Sequence, residues 1–411
     1  MSSPRSVLAL LFLINLLNYA DRQVLYSLFP LIQGEMGVND FALGRLGSAF
    51  MLVYMCAAPV VAHWARRGRR KDWIAGGLAF WSLATLFSGL SRSYAQLFAA
   101  RSLMGVGESG YGAVSPAFVA EHFPKERRGG ALAFFSMAIP VGSALGYMLG
   151  GWAGERWGWR SAFFFAGAPG FVLAWLAFHL KEPPSEGPAE DDTTLRWSSY
   201  LAIYRVRSYV ASTLAMALMT FSLGGLAVWM PTFLNRFWGM GPQQAGLWFG
   251  GLTVAAGVLG SSLGGWLGDK LLKFTGKSYF LVSGLGLILA VPFGLWGLHA
   301  ADLKTALGAL FVAETLAFLN MGPLNGVIAW VTAAPLRTMA FAANIFVIHA
   351  LGDAVSPAVI GFFSDRFGLK ASLSWTMLFL GLAGAFCLWG ARFVEVESSA
   401  AEKAAPKGRM A

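Results

Sequence analysis

Four charged residues interrupt otherwise apolar stretches of this sequence: Asp21 and Arg22, in Asn18-Tyr19-Ala20-Asp21-Arg22, and Arg101 and Glu108. Inside hydrocarbon such a group costs ~2.5–3.5 kcal/mol on insertion scales, so each must be paired or face water. Helix neighbours point ~100° apart, so Asp21 and Arg22 reach different partners, whereas Asn18, Arg22 and Tyr26 share one stripe. Arg101 and Glu108 lie two turns apart on one face, about 10 Å along the axis. Glu108 and Asp21 both fall near the middle of their runs, which places all four in one buried polar cluster. A buried carboxylate titrates according to its desolvation and the charge beside it, and both change when a cavity opens to one side. Protonation of Glu108 or Asp21 would free Arg22, whose planar fork suits an anionic head group. The cluster therefore reads as a proton-coupling site of Asp21, Glu108 and Arg22. Arg22, Arg101, Asn18, Tyr26 and Tyr111 are its candidate substrate contacts. The alternative is a permanent ion-pair network that only holds helices together. No Ser, Thr or Cys nucleophile accompanies a positioned base here, so hydrolysis is not favoured and no catalytic residue is assigned.

The second half of the chain is less charged. His349 and Asp353, one turn apart, form either a second titrating pair or an interhelical hydrogen bond. Around them, Asn320, Met321, Phe346 and His349 are candidate substrate contacts and Asp353 a gating residue. A polar first half facing an apolar second half suits an amphipathic ligand.

These residues need elements that carry charge through an apolar medium. Of 411 residues 56% are hydrophobic and 13% charged, and mean hydropathy is +0.58. An average soluble domain carries roughly 25% charge, so the solvent for most of this chain is lipid. Twelve apolar runs of membrane-spanning length occur, at 6–32, 42–64, 73–91, 95–121, 130–152, 161–180, 208–234, 243–267, 278–298, 304–333, 339–362 and 371–393. The first is longer than a signal-peptide core and carries Asp21 and Arg22, so it reads as a span. An even number of spans puts both termini on one side. The excess of Lys and Arg on that side, led by Arg66, Arg67, Arg69, Arg70 and Lys71, makes it cytoplasmic. The net charge of +10 then reflects insertion and anionic lipid, and no nucleic-acid partner is required.

Cys56 and Cys387 sit far apart in apolar runs, which excludes a disulfide framework and a Cys-based metal site. Walker, Rossmann and His-Glu-x-x-His patterns are missing, so no cofactor or metal is expected and ATP-driven pumping lacks its parts. The expected organisation is an all-α membrane protein with a six-helix bundle at 1–181 and a cytoplasmic linker at 182–206. A second bundle follows at 207–394, then a disordered tail at 395–411. The halves echo each other: Gly151-Trp152-Ala153-Gly154-Glu155-Arg156-Trp157-Gly158 aligns with Gly361-Phe362-Phe363-Ser364-Asp365-Arg366-Phe367-Gly368. Parallel six-helix repeats joined by such a linker mark the major facilitator architecture, whose halves rock about a central site. Gly142 and Gly146 on the fifth run and Gly260 and Gly264 on the eighth form small-residue ridges, expected to be the rocking surface between halves.

Asn18-Tyr19-Ala20-Asp21-Arg22, the stretch from Arg101 to Tyr111 with Gly105, Gly107 and Glu108, and His349-Ala350-Leu351-Gly352-Asp353 through Pro357 resemble the spinster family of major facilitators. The resemblance covers nearly the whole chain. It implies twelve helices and proton-linked transport of lysolipids, including sphingosine-1-phosphate and lysophospholipids. By position, Asp21, Arg22 and Glu108 would couple protons, with Arg22 and Arg101 meeting the phosphate. Organic anion symporters are similar at the first motif, so a proton-linked symporter of small anions such as sugar acids is the alternative. The chain departs from the wider pattern between the second and third runs, where an expected acid is replaced by Ala65 or Arg66. The second half keeps Asp269 and Lys270 at the equivalent place. A monomer in a bacterial plasma (inner) membrane, with both termini cytoplasmic, is the expected setting.

Overall fold

A computed structural model describes residues 3–65, 68–112, 114–182, 197–333 and 336–403. Among them the chain is helical and contains no strand. In order, the helices are Pro4–Ser27 (α1), Phe29–Met36 (α2), Asp40–Ala65 (α3), Arg70–Leu90 (α4), Tyr94–Gly112 (α5), Ser115–Glu121 (α6), Lys125–Ser136 (α7), Ala138–Trp157 (α8) and Trp159–Phe178 (α9). There follow Trp197–Tyr204 (α10), Arg207–Trp238 (α11), Pro242–Leu272 (α12), Ser278–His299 (α13), Leu303–Phe318 (α14), Pro323–Val331 (α15), Arg337–Leu351 (α16), Ser356–Phe367 (α17), Leu369–Gly390 (α18) and Val394–Lys403 (α19). Lipid offers the backbone no hydrogen bonds, so an apolar chain that crosses it must satisfy every amide internally, as helices do.

Eleven segments among the described residues are long and apolar enough to cross a membrane. The twelfth expected span, 95–121, is not among them. Its α5 carries Arg101 and Glu108 amid serines and glycines, which dilute the apolar content, and it gives way to the short α6.

Local sequence sets the helix ends. Ser3 accepts the Ser6 N–H at 3.2 Å and Pro4 opens α1, a pre-organised start. The internal repeat is visible in backbone geometry: Gly158 and Gly368 adopt φ of +82° and +84° at the matching turns between α8 and α9 and between α17 and α18. Only glycine takes that conformation without strain.

The chain divides into two compact units. The first comprises Met1–Pro188, Leu226–Val254 and Pro357–Leu369; the second Ala189–Gly225, Ala255–Ser356 and Lys370–Ala411. In the first unit, α8 packs on α1, α9 on α4, and α5 against α3 and α4. The glycine ridge of α8 faces α1: side chains at Gly142 and Gly146 would run into the Leu16 and Ala20 carbonyls. On α12, side chains at Gly260 and Gly264 would strike Thr315 and Leu319 in the second unit. Both ridges therefore pack inside their own repeat, which corrects the expectation of a rocking surface. Close backbone approach needs a small residue on one helix only, and its nearest neighbour in space is not fixed by the motif. Where α8 does meet α12, Gly250 lies against Ala144 and Gly246 against Tyr147.

The repeat's two acids do equivalent work in this unit. Glu155, at the end of α8, accepts the Gln243 N–H of the first turn of α12 at 2.8 Å. Asp365, at the end of α17, accepts the N–H groups of Asp40 and Phe41 at the start of α3, at 2.8 and 3.0 Å. Each satisfies donors that a helix N-terminus leaves open. Beside the second cap, Asp40 accepts Arg236 Nη1 at 2.7 Å and Ser364 Oγ at 2.5 Å.

In the second unit, α13 packs on α14 and α15, and α15 on α19. The tail expected to be disordered from 395 continues as α19. Its Glu397 accepts the N–H groups of Arg207 and Ser208 at 2.9 and 2.8 Å and so caps α11. Of the expected linker, 183–196 lies outside the described residues and α10 follows; the tail beyond 403 and Arg66 also lie outside them.

Candidate functional site

Helix α1 brings Asn18, Asp21 and Arg22 against α5, which supplies Arg101 and Glu108. Arg22 Nε donates to Glu108 Oε2 at 2.6 Å and its Nη2 reaches the same oxygen at 2.6 Å. The guanidinium sits between the rings of Tyr19, Phe50 and Tyr54, at 4.9, 4.9 and 5.2 Å from their centroids. A desolvated cation among three aromatic faces gains quadrupole attraction beyond its ion pair.

Asp21, Arg101 and Glu108 are fully buried. Asp21 is in no ion pair among the described residues: Oδ2 accepts Thr85 Oγ1 at 3.4 Å, and Oδ1 has no partner. Arg101 Nη1 donates to the Asp21 backbone carbonyl at 3.4 Å, while its Nε and Nη2 are unpartnered. Glu108 Oε1 and the neighbouring Asn18 Nδ2 make no hydrogen bond of regular geometry. Buried polar atoms are nearly always satisfied, so this concentration of open donors and acceptors marks a site built for something besides packing. One cation and one anion are paired here; a second anion and a second cation are each left short.

The four charges expected to cluster are thus brought together. Of the other candidates, Tyr26 is buried edge-on against Phe29. Tyr111 is spent on structure: its hydroxyl donates to the Leu11 carbonyl at 2.8 Å and its ring packs on Trp81, so it is not placed as a substrate contact. Sequence reasoning passed over Phe50 and Tyr54, although their one-turn spacing in α3 is the stripe an arginine cage needs, and over Thr85, one hydroxyl among many.

In the second unit, His349 Nδ1 meets both Asp353 carboxylate oxygens at 2.9 and 3.1 Å. The bond lies within one chain segment, at the break where α16 ends and Gly352–Val355 turns before α17, so it is not the interhelical bond considered above. A side chain at Gly224 of α11 would crowd Asp353, with its Cβ 2.7 Å away. Asn320 turns its amide back to the Ala317 carbonyl and is buried, whereas Met321 and Phe346 are exposed. Asp269 accepts the Tyr279 hydroxyl at 2.6 Å, and Lys270 lies over Trp266 at 4.7 Å.

At the start of α4 two acids from distant segments gather. Arg70 pairs with Glu121 at 2.5 Å and with Glu182 at 3.2 Å, and the Glu182 carboxylate also accepts the Arg70 and Lys71 N–H groups.

Residues 11–347 match the Major Facilitator Superfamily. Protein spinster homolog 1 of Xenopus laevis is 33% identical over 98% of this chain and 83% of its own length, and the Homo sapiens protein of that name 32% identical over 96% and 82%. The sphingosine-1-phosphate transporter SPNS2 of Danio rerio is 31% identical over 91% and 79%. A crystal structure of a bacterial homolog of the human lysosomal transporter spinster, inward-facing and unoccupied, superposes with a TM-score of 0.87 at 23% identity, over 96% of this chain and 98% of that one. The D-xylose-proton symporter structure gives 0.75 at 16% identity, over 94% and 97%, which speaks to fold alone. With the buried charges of α1 and α5 set in an all-helical membrane fold, these likenesses place the chain: it is a multi-pass membrane transporter, not an enzyme, and belongs to the spinster family of the Major Facilitator Superfamily.

Proposed function

We propose that the chain is a proton-coupled secondary transporter of lysolipid-like amphiphiles, working by alternating access. The observation that carries this reading is the Arg22–Glu108 pair at 2.6 Å beside a buried Asp21 carboxylate that makes no direct ion pair among the described residues. A carboxylate buried without a direct ion-pair partner is costly, and taking up a proton removes that cost. Proton transfer to Glu108 releases Arg22, and a guanidinium caged by aromatic rings offers its fork to a phosphate while the rings accept an apolar chain. The spinster relatives, one of them named for sphingosine-1-phosphate, support a substrate of this class. The setting is a plasma (inner) membrane with both termini cytoplasmic, the chain acting as a monomer. The six-helix repeats at 1–181 and 207–394 rock about the site, joined by 182–206, with 395–411 as the tail.

A second reading, symport of a small organic anion such as a sugar acid, is favoured by Arg101, whose two open nitrogens could hold a carboxylate. Proteoliposomes with an imposed pH gradient distinguish the two. Uptake of a fluorescent lysophospholipid that collapses with a protonophore supports the first, and gradient-driven uptake of labelled gluconate alone supports the second. Lysophospholipid uptake indifferent to the gradient would remove proton coupling.

A further inference from the structure

A groove of about 460 Å³ runs along the first unit between α1, α8, α9 and the first turns of α12. Leu145, Met148, Leu247, Phe165 and Pro169 line it, and Gln243 with the Trp152 indole supplies its polar end. Leu145, Met148, Phe165 and Leu247 are exposed, on a surface that faces hydrocarbon in a membrane-crossing helix. Water needs two or more polar partners to occupy such a space, and the apolar length of the groove has none to offer. Left empty, its lining would forfeit dispersion contacts. An acyl chain is the filling that the surroundings supply.

The groove's dimensions fit one acyl chain, and the charge beyond its polar end fits that lipid's phosphate. From Leu145 to Arg156 is about 16 Å along α8 at ~1.5 Å per residue. One leaflet of a ~30 Å hydrocarbon core is about 15 Å deep. At the far end Arg156 Nη1 donates to Gln243 Oε1 at 2.9 Å, and the guanidinium lies 5.3 Å from the Trp152 ring centroid. Trp152, Trp157 and Phe165 form an aromatic group there, with Trp152 and Trp157 centroids 4.9 Å apart, as at a membrane interface. Among the described residues no carboxylate pairs with Arg156; neighbouring Glu155 is turned to the Gln243 N–H. The remaining donors of its fork are those a phosphodiester takes.

We propose that this groove holds a bilayer glycerophospholipid as a resident ligand that is not transported. One acyl chain lies against Leu145, Met148 and Leu247, and the phosphodiester sits on Arg156. Because the lining includes both α8 and α12, the lipid joins the two helices just where Glu155 caps α12.

The test uses full-length protein in phosphatidylcholine nanodiscs doped with a phosphatidylglycerol bearing an acyl-chain diazirine, with adducts mapped by mass spectrometry after irradiation. Adducts concentrate on residues 145–152 and 243–247. They fall about fivefold in Arg156→Gln and stay unchanged in Arg366→Gln, which removes the equivalent cation of the second repeat. Leu247→Trp, which fills the groove from α12, gives a similar loss without touching the charge. Adducts spread evenly over all exposed helices, or undiminished in both Arg156→Gln and Leu247→Trp, overturn the proposal. So does displacement of the label by lysophosphatidylglycerol, which would assign the groove to the transported amphiphile.

Discussion

In the first unit Arg22 and Glu108 close on each other at 2.6 Å with the Glu108 side chain fully sealed; in the second, His349 and Asp353 meet at 2.9 Å with 34% and 23% of their side chains exposed. Both pairs interrupt apolar helices, yet they differ in access. A sealed pair exchanges a proton with solution only after the helices around it move, so its chemistry is tied to conformation. An exposed pair meets solvent without any such movement. The sealed pair is also surrounded by open polar atoms on Asp21, Arg101 and Asn18, whereas only Ser356 Oγ is open close to Asp353. On the proposed reading, coupling sits where protonation and movement require each other, which is the sealed pair of the first unit.

The contrast is most directly broken at Glu108. Glu108→Gln leaves Arg22 a buried cation without its counter-charge, so pH-driven uptake is expected to fall to background. Thermal stability should drop by up to the ~3–5 kcal/mol of a broken buried pair. Adding Arg22→Gln should restore much of the stability and none of the transport, and recovery of neither would show that the pair is not the unit that matters. Asp21→Asn sharpens the point, since no ion pair is broken there. Melting should be unchanged or higher while uptake loses its pH dependence. A variant that melts as low as Glu108→Gln would give Asp21 a partner and undo the distinction drawn here.

His349→Gln is expected to do less. A half-exposed pair is worth ~0–1 kcal/mol, so the melt barely moves and uptake falls a few-fold with its gradient response intact. Loss of that response would transfer coupling to the second unit. The smallest effect is expected for the exposed pair at the first turn of α9, whose acid lies on the short α2 outside the crossing segments. Glu35 accepts Arg160 Nη1 at 2.6 Å, and that hydrogen bond holds its carboxyl below the usual range of about 4.5. Its contribution is therefore complete above about pH 4.5 and is lost as pH falls through the lower folded value. Glu35→Gln should flatten the acid limb of the stability profile and leave neutral pH untouched; a neutral-pH loss would contradict the assignment.

Much of this was legible in the residues themselves. Asp21, Arg22, Arg101 and Glu108 announce a cluster because charge in an apolar run is expensive, and the helical period then fixes which of them can meet. The repeat around Glu155 and Asp365 was legible too, down to the glycines that take positive φ. What could not be read was direction across space. The ridge of Gly142 and Gly146 says that a backbone comes close and leaves open whether it is α1 or α12. Tyr111 looks the same in sequence whether its hydroxyl meets a ligand or the Leu11 carbonyl. The pairing of Arg70 with Glu121 and Glu182 draws on two distant stretches of chain, and no local pattern reveals it. Likewise α19 exists because Glu397 finds the free amides of α11, a partner 190 positions away.

The caps supplied by Glu155 and Asp365 have an evolutionary corollary. Each acid grips backbone amides, which every residue but proline presents, so the held positions Asp40, Phe41 and Gln243 can change without loosening the grip, although Gly241 must stay small because a side chain there would meet the Glu155 carboxylate. All the specificity is held by one carboxylate per repeat. Duplicated halves can therefore diverge widely in the loops that meet at this end while the two fastenings survive, provided that each copy keeps its acid and admits no proline at the amides it holds.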